Sequence, residues 1–416
     1  MAQPRLEELL LATEQLNAAV DILKSKPVED GSDNERPQLV DNIIKAAQRI
    51  LDVAKSPTDQ WVDLVNQISI ITSNMLFMKW KVFENIPLDG TSISYVELAS
   101  KVEVELALLA RIARLLVSAR VLEQVGSDQV AHTAQSRMFL EDHPGSAVYT
   151  MGWENGLQAF VKMPEYFDQY GRKEPQTPNH IPVSYAYGQP GLTFYELIDR
   201  DPAWLQRFFK GVGALNTNLP IAGIYDFSWL VSQIQNEEES AKRRPLFIDI
   251  GGGGGQAIKA IRAEFPGLPI DRFYLQDRAD VIEAGEKVDD PLLKGVQRMA
   301  IDFFESQPVK GAIVYWIRRC LHNWGDVAAA KVLKNVAEAM AADSKLLLQE
   351  DVLDNPPNLW SASMDFLMLG FGGKQRTRET WDQLAGEAGL EIVGVSRGKG
   401  TWENQTVIEL VKKSVS

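Results

Sequence analysis

Residues 246–277 read LFIDIGGGGGQAIKAIRAEFPGLPIDRFYLQD. An apolar run of strand length, 246–250, gives way to five glycines at 251–255 and then to a helix-patterned stretch at 256–265. A second apolar run follows at 273–277 and ends in Asp277. Glycine lets a strand-to-helix turn take positive φ and lets backbone approach a ligand closely. In open α/β sheets such ligands lie at the carboxyl ends of the strands. Strand-like AIVYWI (312–317), KLLLQE (345–350), EIVGVSRG (391–398) and NQTVIELVKK (404–413) continue the pattern. They alternate with helical AAAKVLKNVAEAMA (328–341) and RETWDQLAGEAG (378–389). This alternation specifies an α/β domain over 241–416, a Rossmann-like, doubly wound, mostly parallel sheet.

Upstream the texture is helical. Residues 5–24 carry Leu6, Leu9, Leu10, Leu16, Val20 and Leu23 at helical spacing, and a polar, proline-containing linker is expected over 24–38. A second helix follows, then a third over 59–84 with Trp61, Leu64, Ile68, Ile71 and Met75 on one face. Faces this apolar serve either a core or a partner subunit. Ser94 followed by Glu97 is a capping-box pattern that opens a short helix. A further helix and a hairpin turning at Gly126-Ser127-Asp128 complete a winged-helix-like unit within 1–145. That unit reads as a structural or dimerising module rather than a DNA reader, because the chain's net charge is −13. Residues 146–240 form a helical connector rich in aromatics, including Phe160, Phe194 and Trp204, some of which can line an apolar ligand pocket.

Composition bounds the rest. The 416 residues suit two to three domains at about 100–200 residues each. Cys320 is the single cysteine, so no intrachain disulfide forms, which fits a reducing compartment. The N-terminus lacks the pattern of a signal peptide, and no run reaches about 18 apolar residues. A cytoplasmic protein without membrane or nucleic-acid partners is expected.

Asp277 lies 22 residues beyond Gly255, where a carboxylate commonly takes two ribose hydroxyls. That spacing fits NAD and S-adenosylmethionine alike. Asp249, immediately ahead of the loop, favours S-adenosylmethionine, because an acid there can receive an amino group. Asp302-Phe303-Phe304 falls where a third parallel strand should end. It offers an acceptor for an adenine amino group and a ring for the purine face, or else a plain helix cap. His322 follows AIVYWI at the ligand-bearing edge of the sheet, and an imidazole of ordinary pKa about 6.5 can take a phenolic proton at neutral pH. Glu350, at the end of the next strand, is placed to hold its far nitrogen.

Together these segments resemble the O-methyltransferase family that includes plant caffeate and flavonoid methyltransferases and many fungal secondary-metabolite enzymes. The family's glycine motif is similar to 247–255. Its His-Asp-Trp-x-Asp motif is similar to His322-Asn323-Trp324-Gly325-Asp326, and its Gly-Gly-Lys-Glu-Arg-Thr segment to Gly372-Gly373-Lys374-Gln375-Arg376-Thr377. The resemblance implies S-adenosylmethionine as cofactor, with no metal. Asp249, Gly251 and Gly253 would line its methionine end, Asp277 with Arg278 its ribose, Asp302 and Phe303 its adenine, and Arg318 would be a further contact. His322 would be the base, with Glu350 and Gln375 flanking it. Met368, Arg319 and His132 would meet the substrate, and N-terminal helices exchanged between two copies would make a homodimer. The reaction implied is methyl transfer to a phenolic or enolic hydroxyl of a fungal secondary metabolite. A small fungal branch instead binds the same cofactor and catalyses dehydration or pericyclic ring closure. Three departures from the plant pattern bear on that alternative: Gln375 where an acid is usual, Asn323 for aspartate, and Arg319 for tryptophan; the retention of His322 and Glu350 favours methyl transfer.

Overall fold

The computed structural model describes residues 3–25, 36–217, 219–221, 223–237, 243–398 and 405–413; most of the linker expected over 24–38 lies outside them. The chain forms two compact units, one of residues 1–154 and 203–216, the other of 155–202 and 217–416. The connector read from sequence over 146–240 is thus shared between the two units. Among the described residues no helix is long and apolar enough to cross a membrane.

The first unit begins with three long helices, Gln3–Ser25, Arg36–Ala54 and Pro57–Lys79. The third stops short of the expected residue 84, because the chain turns through Lys81 at φ 53° into a 3-10 turn, Phe83–Asn85. Ala12, Ala19, Ala46 and Val53 are buried between the first two helices, while Leu10, Ile44, Trp61, Leu64 and Ile68 stay exposed. The winged module follows. Strand β1 (Ile93–Ser94) leads into helix Tyr95–Lys101, whose N-cap Ser94 accepts from the Glu97 N–H. Helix Leu106–Ser118 precedes the hairpin of β2 (Leu122–Val125) and β3 (Gln129–His132), and β1 pairs antiparallel with β3. Its core joins Phe77, Phe83, Leu98, Leu109, Leu116, Val130 and Phe139.

The second unit is built on one large sheet. Its strands are β4 (Phe247–Ile250), β5 (Phe273–Asp277), β6 (Gln297–Ala300), β7 (Val314–Arg318), β8 (Lys345–Leu353), β9 (Arg376–Thr377), β10 (Leu390–Arg397) and β11 (Gln405–Lys412). They run in the order β10-β11-β8-β7-β4-β5-β6, with β9 added beside the end of β8. All the pairings are parallel except those of β11, which is antiparallel to both β8 and β10. Parallel strands covered on both faces are apolar at nearly every position, and all four residues of β4 are buried, Asp249 among them.

The two faces separate with the period of the strand. Ile248, Ile250, Tyr315, Ile317, Leu346 and Leu348 pack with helices Asp326–Ala339 and Arg378–Glu387. Phe247, Val314, Trp316 and Leu347 pack with helices Ser228–Gln235 and Gln256–Glu264 on the opposite face. Strand order reverses between β4 and β7. The crevice where ligands bind in such sheets therefore opens at the carboxyl ends of these two strands.

Candidate active site

Strand β4 delivers Asp249 to this crevice, 1% exposed. Burial pushes its carboxyl up to about 7, against the pull of Arg318, with Asp277 adding a smaller push upward. Its Oδ2 has no hydrogen-bond partner among the described residues, and neither do Nε and Nη2 of Arg318 at the end of β7. Desolvation likewise lowers the Arg318 guanidinium from its ordinary value. A buried charged or polar group left unpaired is costly, so two such groups of opposite sign at one sheet edge mark a place for a ligand. The glycine loop between them has no room for side chains. Gly251 sits at φ +69°, and a Cβ on Gly252 would lie 2.5 Å from the Asp249 carboxylate. An anion and a cation beside bare backbone suit the ammonium and carboxylate of an amino acid.

Asp277 ends β5. Its Oδ2 accepts from the Gly253 N–H (2.8 Å) and its Oδ1 from the Arg278 N–H (2.8 Å), which pins it to the glycine loop. Helix Ala279–Val288 starts after it with no side-chain cap at Arg278, so Asp277 is not that helix's cap. Burial still raises its carboxyl, although both N–H donors lower it. Each oxygen keeps lone-pair capacity for a further donor, such as a hydroxyl. Arg278 itself is bonded to Asp280 and close to Asp199. Asp302, beyond β6, is exposed and accepts from the Phe304 N–H (2.9 Å) in a turn rather than capping a helix. Phe303 is partly buried, 4.8 Å from Phe304 between ring centroids and 6.1 Å from Trp324.

On the other side of the crevice three consecutive residues converge on Glu350. The N–H groups of Cys320 (3.0 Å) and Leu321 (2.8 Å) donate to Oε1, and His322 Nδ1 lies 2.8 Å from Oε2. Burial drives the Glu350 carboxyl upward, but His322, Arg319 and the Leu321 N–H outweigh it and hold the group below its ordinary value. An ionised carboxylate can only accept, so Nδ1 carries the proton and Nε2 is left with a free lone pair. Among the described residues Nε2 has no hydrogen-bond partner.

The 3-10 turn that carries His322, Leu321–Asn323, is fastened from beneath by the second glycine segment. The Lys374 N–H donates to the His322 carbonyl (2.8 Å), and a Cβ on Gly373 would collide with that same carbonyl. Fully buried Arg376 donates to the carbonyls of Leu321 (3.1 Å) and Trp324 (2.6 Å) and to Asp326 (2.8 Å), with its guanidinium over the Trp381 ring. Arg376 belongs to the motif read from sequence, yet its role emerges only from these contacts. Lys374 adds exposed pairs to Glu174 and Asp326.

The remaining expected residues divide. Arg319, at φ 50°, places its guanidinium 3.6 Å from Asp351, and Gln405 on β11 also bonds Asp351. Met368, on helix Leu359–Gly370, is partly buried, and its carbonyl accepts from the Gly373 N–H (2.8 Å). Gln375 is buried, but it makes no hydrogen bond to His322: its N–H donates to Asp365 (2.8 Å), and its Oε1 has no partner among the described residues. His132 departs from expectation as a ligand-contacting group. It belongs to the first unit, with Nδ1 2.7 Å from Ser136 Oγ and Nε2 3.0 Å from the Phe83 carbonyl, so no ring nitrogen remains to offer. Its segment looked like a pocket wall because sequence does not reveal that both nitrogens are satisfied inside the wing. Among the described residues no cluster of His, Cys, Asp and Glu is arranged to hold a metal ion.

Comparison with known proteins gives matches to both units. Residues 172–391 match the model of the O-methyltransferase domain, and 67–142 that of the O-methyltransferase dimerisation domain. The methyltransferase cfoD of Aspergillus candidus is 34% identical over 96% of this chain and 97% of its own length. Among solved structures, OxaC in complex with SAH and oxaline superposes with a TM-score of 0.83, covering 98% of this chain and all of OxaC, at 22% identity. LepI in complex with SAM gives 0.78 with the same coverage at 18% identity.

Proposed function

From a chain that belongs to the O-methyltransferase family, we propose an S-adenosylmethionine-dependent methyltransferase acting on a phenolic or enolic hydroxyl of a fungal secondary metabolite, with His322 as its base. The observation that carries this reading is the His322–Glu350 pair, 2.8 Å apart and buried, with the opposite ring nitrogen free. Nε2 accepts the proton of the acceptor hydroxyl while Nδ1–H stays on Glu350. The carboxylate offsets the imidazolium charge as it forms, in a site where solvent cannot screen it. His322, Arg319 and the Leu321 N–H keep Glu350 ionised, the Cys320 N–H helps hold it in place, and Arg376 fixes the height of the whole turn.

The unpaired Asp249 and Arg318 suit the two charged ends of the cofactor's methionine portion, Asp277 its ribose, and Asp302 with Phe303 its adenine. Bound there, S-adenosylmethionine supplies a methyl group on a positively charged sulfur. Met368 and Arg319 stand on the acceptor side. Arg319, paired with Asp351, gives this wall a polar character suited to an oxygen-rich acceptor.

Homodimerisation is part of the proposal. It is supported by the dimerisation-domain match over 67–142 and by Trp61, Leu64 and Ile68, which lie exposed on one helix. The solution mass of the purified protein tests it, and a monomer at micromolar concentration overturns it.

The reaction itself is tested with methyl-labelled S-adenosylmethionine and an extract of phenolic and polyketide-type metabolites. Label moving into a small molecule supports methyl transfer, with turnover in His322→Ala down by about 10²–10⁴-fold. Rearrangement of a substrate with all label left on the cofactor overturns it in favour of ring closure or dehydration.

A further inference from the structure

The helix Phe194–Ile198 belongs to the connector, far in sequence from the glycine loop, yet it meets Arg278, the residue that follows β5. Thr193 and Glu196 cap it reciprocally, and Phe194 packs edge-on against Phe371 with ring centroids 4.8 Å apart. The next residue, Tyr195, presents its ring 5.6 Å from the guanidinium carbon of Arg278. One turn on, Asp199 lies 3.5 Å from Arg278 Nη2, and Arg278 Nε donates to Asp280 (3.0 Å). The backbone N–H of this same Arg278 holds Asp277.

Tyr195 is partly buried, and desolvation pushes its phenol up to about 12. The titratable groups nearest it are the Cys320 thiol, Arg278 and Asp277. Cys320 follows β7, and Asp277 with Arg278 stands at the end of β5, on either side of the glycine loop that follows β4. One aromatic side chain therefore answers to both walls of the crevice.

We propose that Tyr195, Arg278 and Asp199 form a clasp across the nucleoside end of the cofactor cleft, with the Tyr195 ring covering the bound nucleoside and the Asp199–Arg278 pair fastening the connector helix over it. The clasp rests on the cofactor reading above and adds to it a function in release. Stacked or edge-on aromatic cover excludes water from a ligand and packs against its face. The ion pair is about half exposed, with side chains 48% and 40% accessible, so it is weak and salt-screened. A weak, screened pair is suited to opening once per turnover. The clasp governs how long the cofactor or its demethylated product stays, rather than whether it binds.

The test measures release of S-adenosylhomocysteine from the full-length protein by stopped-flow displacement, beside the melting temperature of the ligand-free protein. Tyr195→Ala is expected to speed release by about tenfold or more, while Tyr195→Phe, which keeps the ring, stays within about twofold of wild type. Asp199→Asn is expected to speed release by about two- to fivefold with the melting temperature unchanged. Wild-type release is expected to accelerate with salt, and the Asp199→Asn variant to lose that acceleration. Asp199→Asn combined with Arg278→Gln should be no faster than the faster single variant. Unchanged release and unchanged salt response in Asp199→Asn overturn the clasp, and that variant decides alone if Tyr195→Ala does not fold. Asp277→Ala separates the two layers. If it weakens S-adenosylhomocysteine while the clasp variants do nothing, only the clasp falls; if Asp277→Ala also leaves affinity unchanged, the cofactor reading falls with it.

Discussion

The two walls of the crevice are finished to opposite standards. Within β4 and at the end of β7, Asp249 and Arg318 have buried atoms without a partner among the described residues, and desolvation presses both toward neutrality. A few residues further on, both oxygens of Glu350 are matched: two N–H donors on one, an imidazole on the other, with Arg376 beneath the turn. The difference separates groups that await a ligand from groups that must be ready before it arrives. A binding group can be left unsatisfied, because the ligand will satisfy it. A base needs its tautomer and position fixed in advance, because its support is tested in each turnover.

If that contrast is right, damage on the two walls has different signatures. The largest effect is expected from Glu350→Gln. The amide can still accept from the Cys320 and Leu321 N–H groups, but its NH₂ faces Nδ1 and makes that nitrogen the acceptor. The ring proton then moves to Nε2, and the base is lost. Turnover should fall by about 10²–10⁴-fold, with calorimetric affinity for S-adenosylmethionine within about twofold of wild type. A matching loss of affinity would mean that the two walls are not separate.

Arg376→Met is expected to strip the His322 turn of four hydrogen bonds, to Leu321, Trp324, Lys374 and Asp326. It should destabilise the fold by roughly 2–4 kcal/mol, since it leaves buried acceptors without a donor. Chemical denaturation measures this, and a loss under about 1 kcal/mol would show that the turn holds itself.

Asp277→Ala should weaken S-adenosylmethionine by about 10–100-fold, the worth of charge-assisted hydrogen bonds to hydroxyls. Its thermal stability should fall only by the loss of the Gly253 and Arg278 N–H bonds, about 1–2 kcal/mol in all and partly offset by removing a carboxyl that burial penalises. Calorimetric titration beside a thermal melt distinguishes this from a structural role.

The smallest and most diagnostic effect is expected from Asp249→Asn in the ligand-free protein. With a folded-state value of about 7, against about 4 for an unfolded chain, Asp249 holds a proton that the unfolded chain has released. Stability contributed by this group is therefore lost as pH rises from about 4 to about 7. Asp249→Asn should flatten that slope and leave the free protein more stable at pH 8 by roughly 1–3 kcal/mol, while cofactor affinity drops. An unaltered pH profile would place the unpaired charge elsewhere.

How much of this could be read without coordinates follows the same division. The strands after 245, the glycine loop, Asp277 at the next strand end, and the paired positions of His322 and Glu350 are local patterns or spacings, and spacing survives in a linear string. The layered α/β architecture and the winged module at the start followed from periodicity in the same way. Tyr195 was one aromatic among many in the connector, and nothing in its neighbours says that it meets Arg278. Arg376 and Gly373 sat in a recognisable motif without a stated physical reason, because their partners are the carbonyls of another segment. His132 shows the same limit: whether an imidazole is free depends on what packs against it, here Ser136 and the Phe83 carbonyl.

Strand β11 carries a consequence for assembly. It is inserted between β8 and β10, although β10 precedes it in the chain, and Thr406 and Gln405 register against Glu350 and Asp351. The sheet thus cannot be completed in the order in which it is synthesised. Strands β4 to β8 can zip together as their crossovers emerge, but β10 has no place to dock until β11 has arrived. Until then the flank of β8 that supports the proton-accepting wall is an open edge, able to pair with any extended segment nearby. A nascent chain is therefore expected to acquire its nucleotide-shaped cleft before it acquires a rigid base. Between those two events the open edge of β8 is the flank most exposed to unintended pairing.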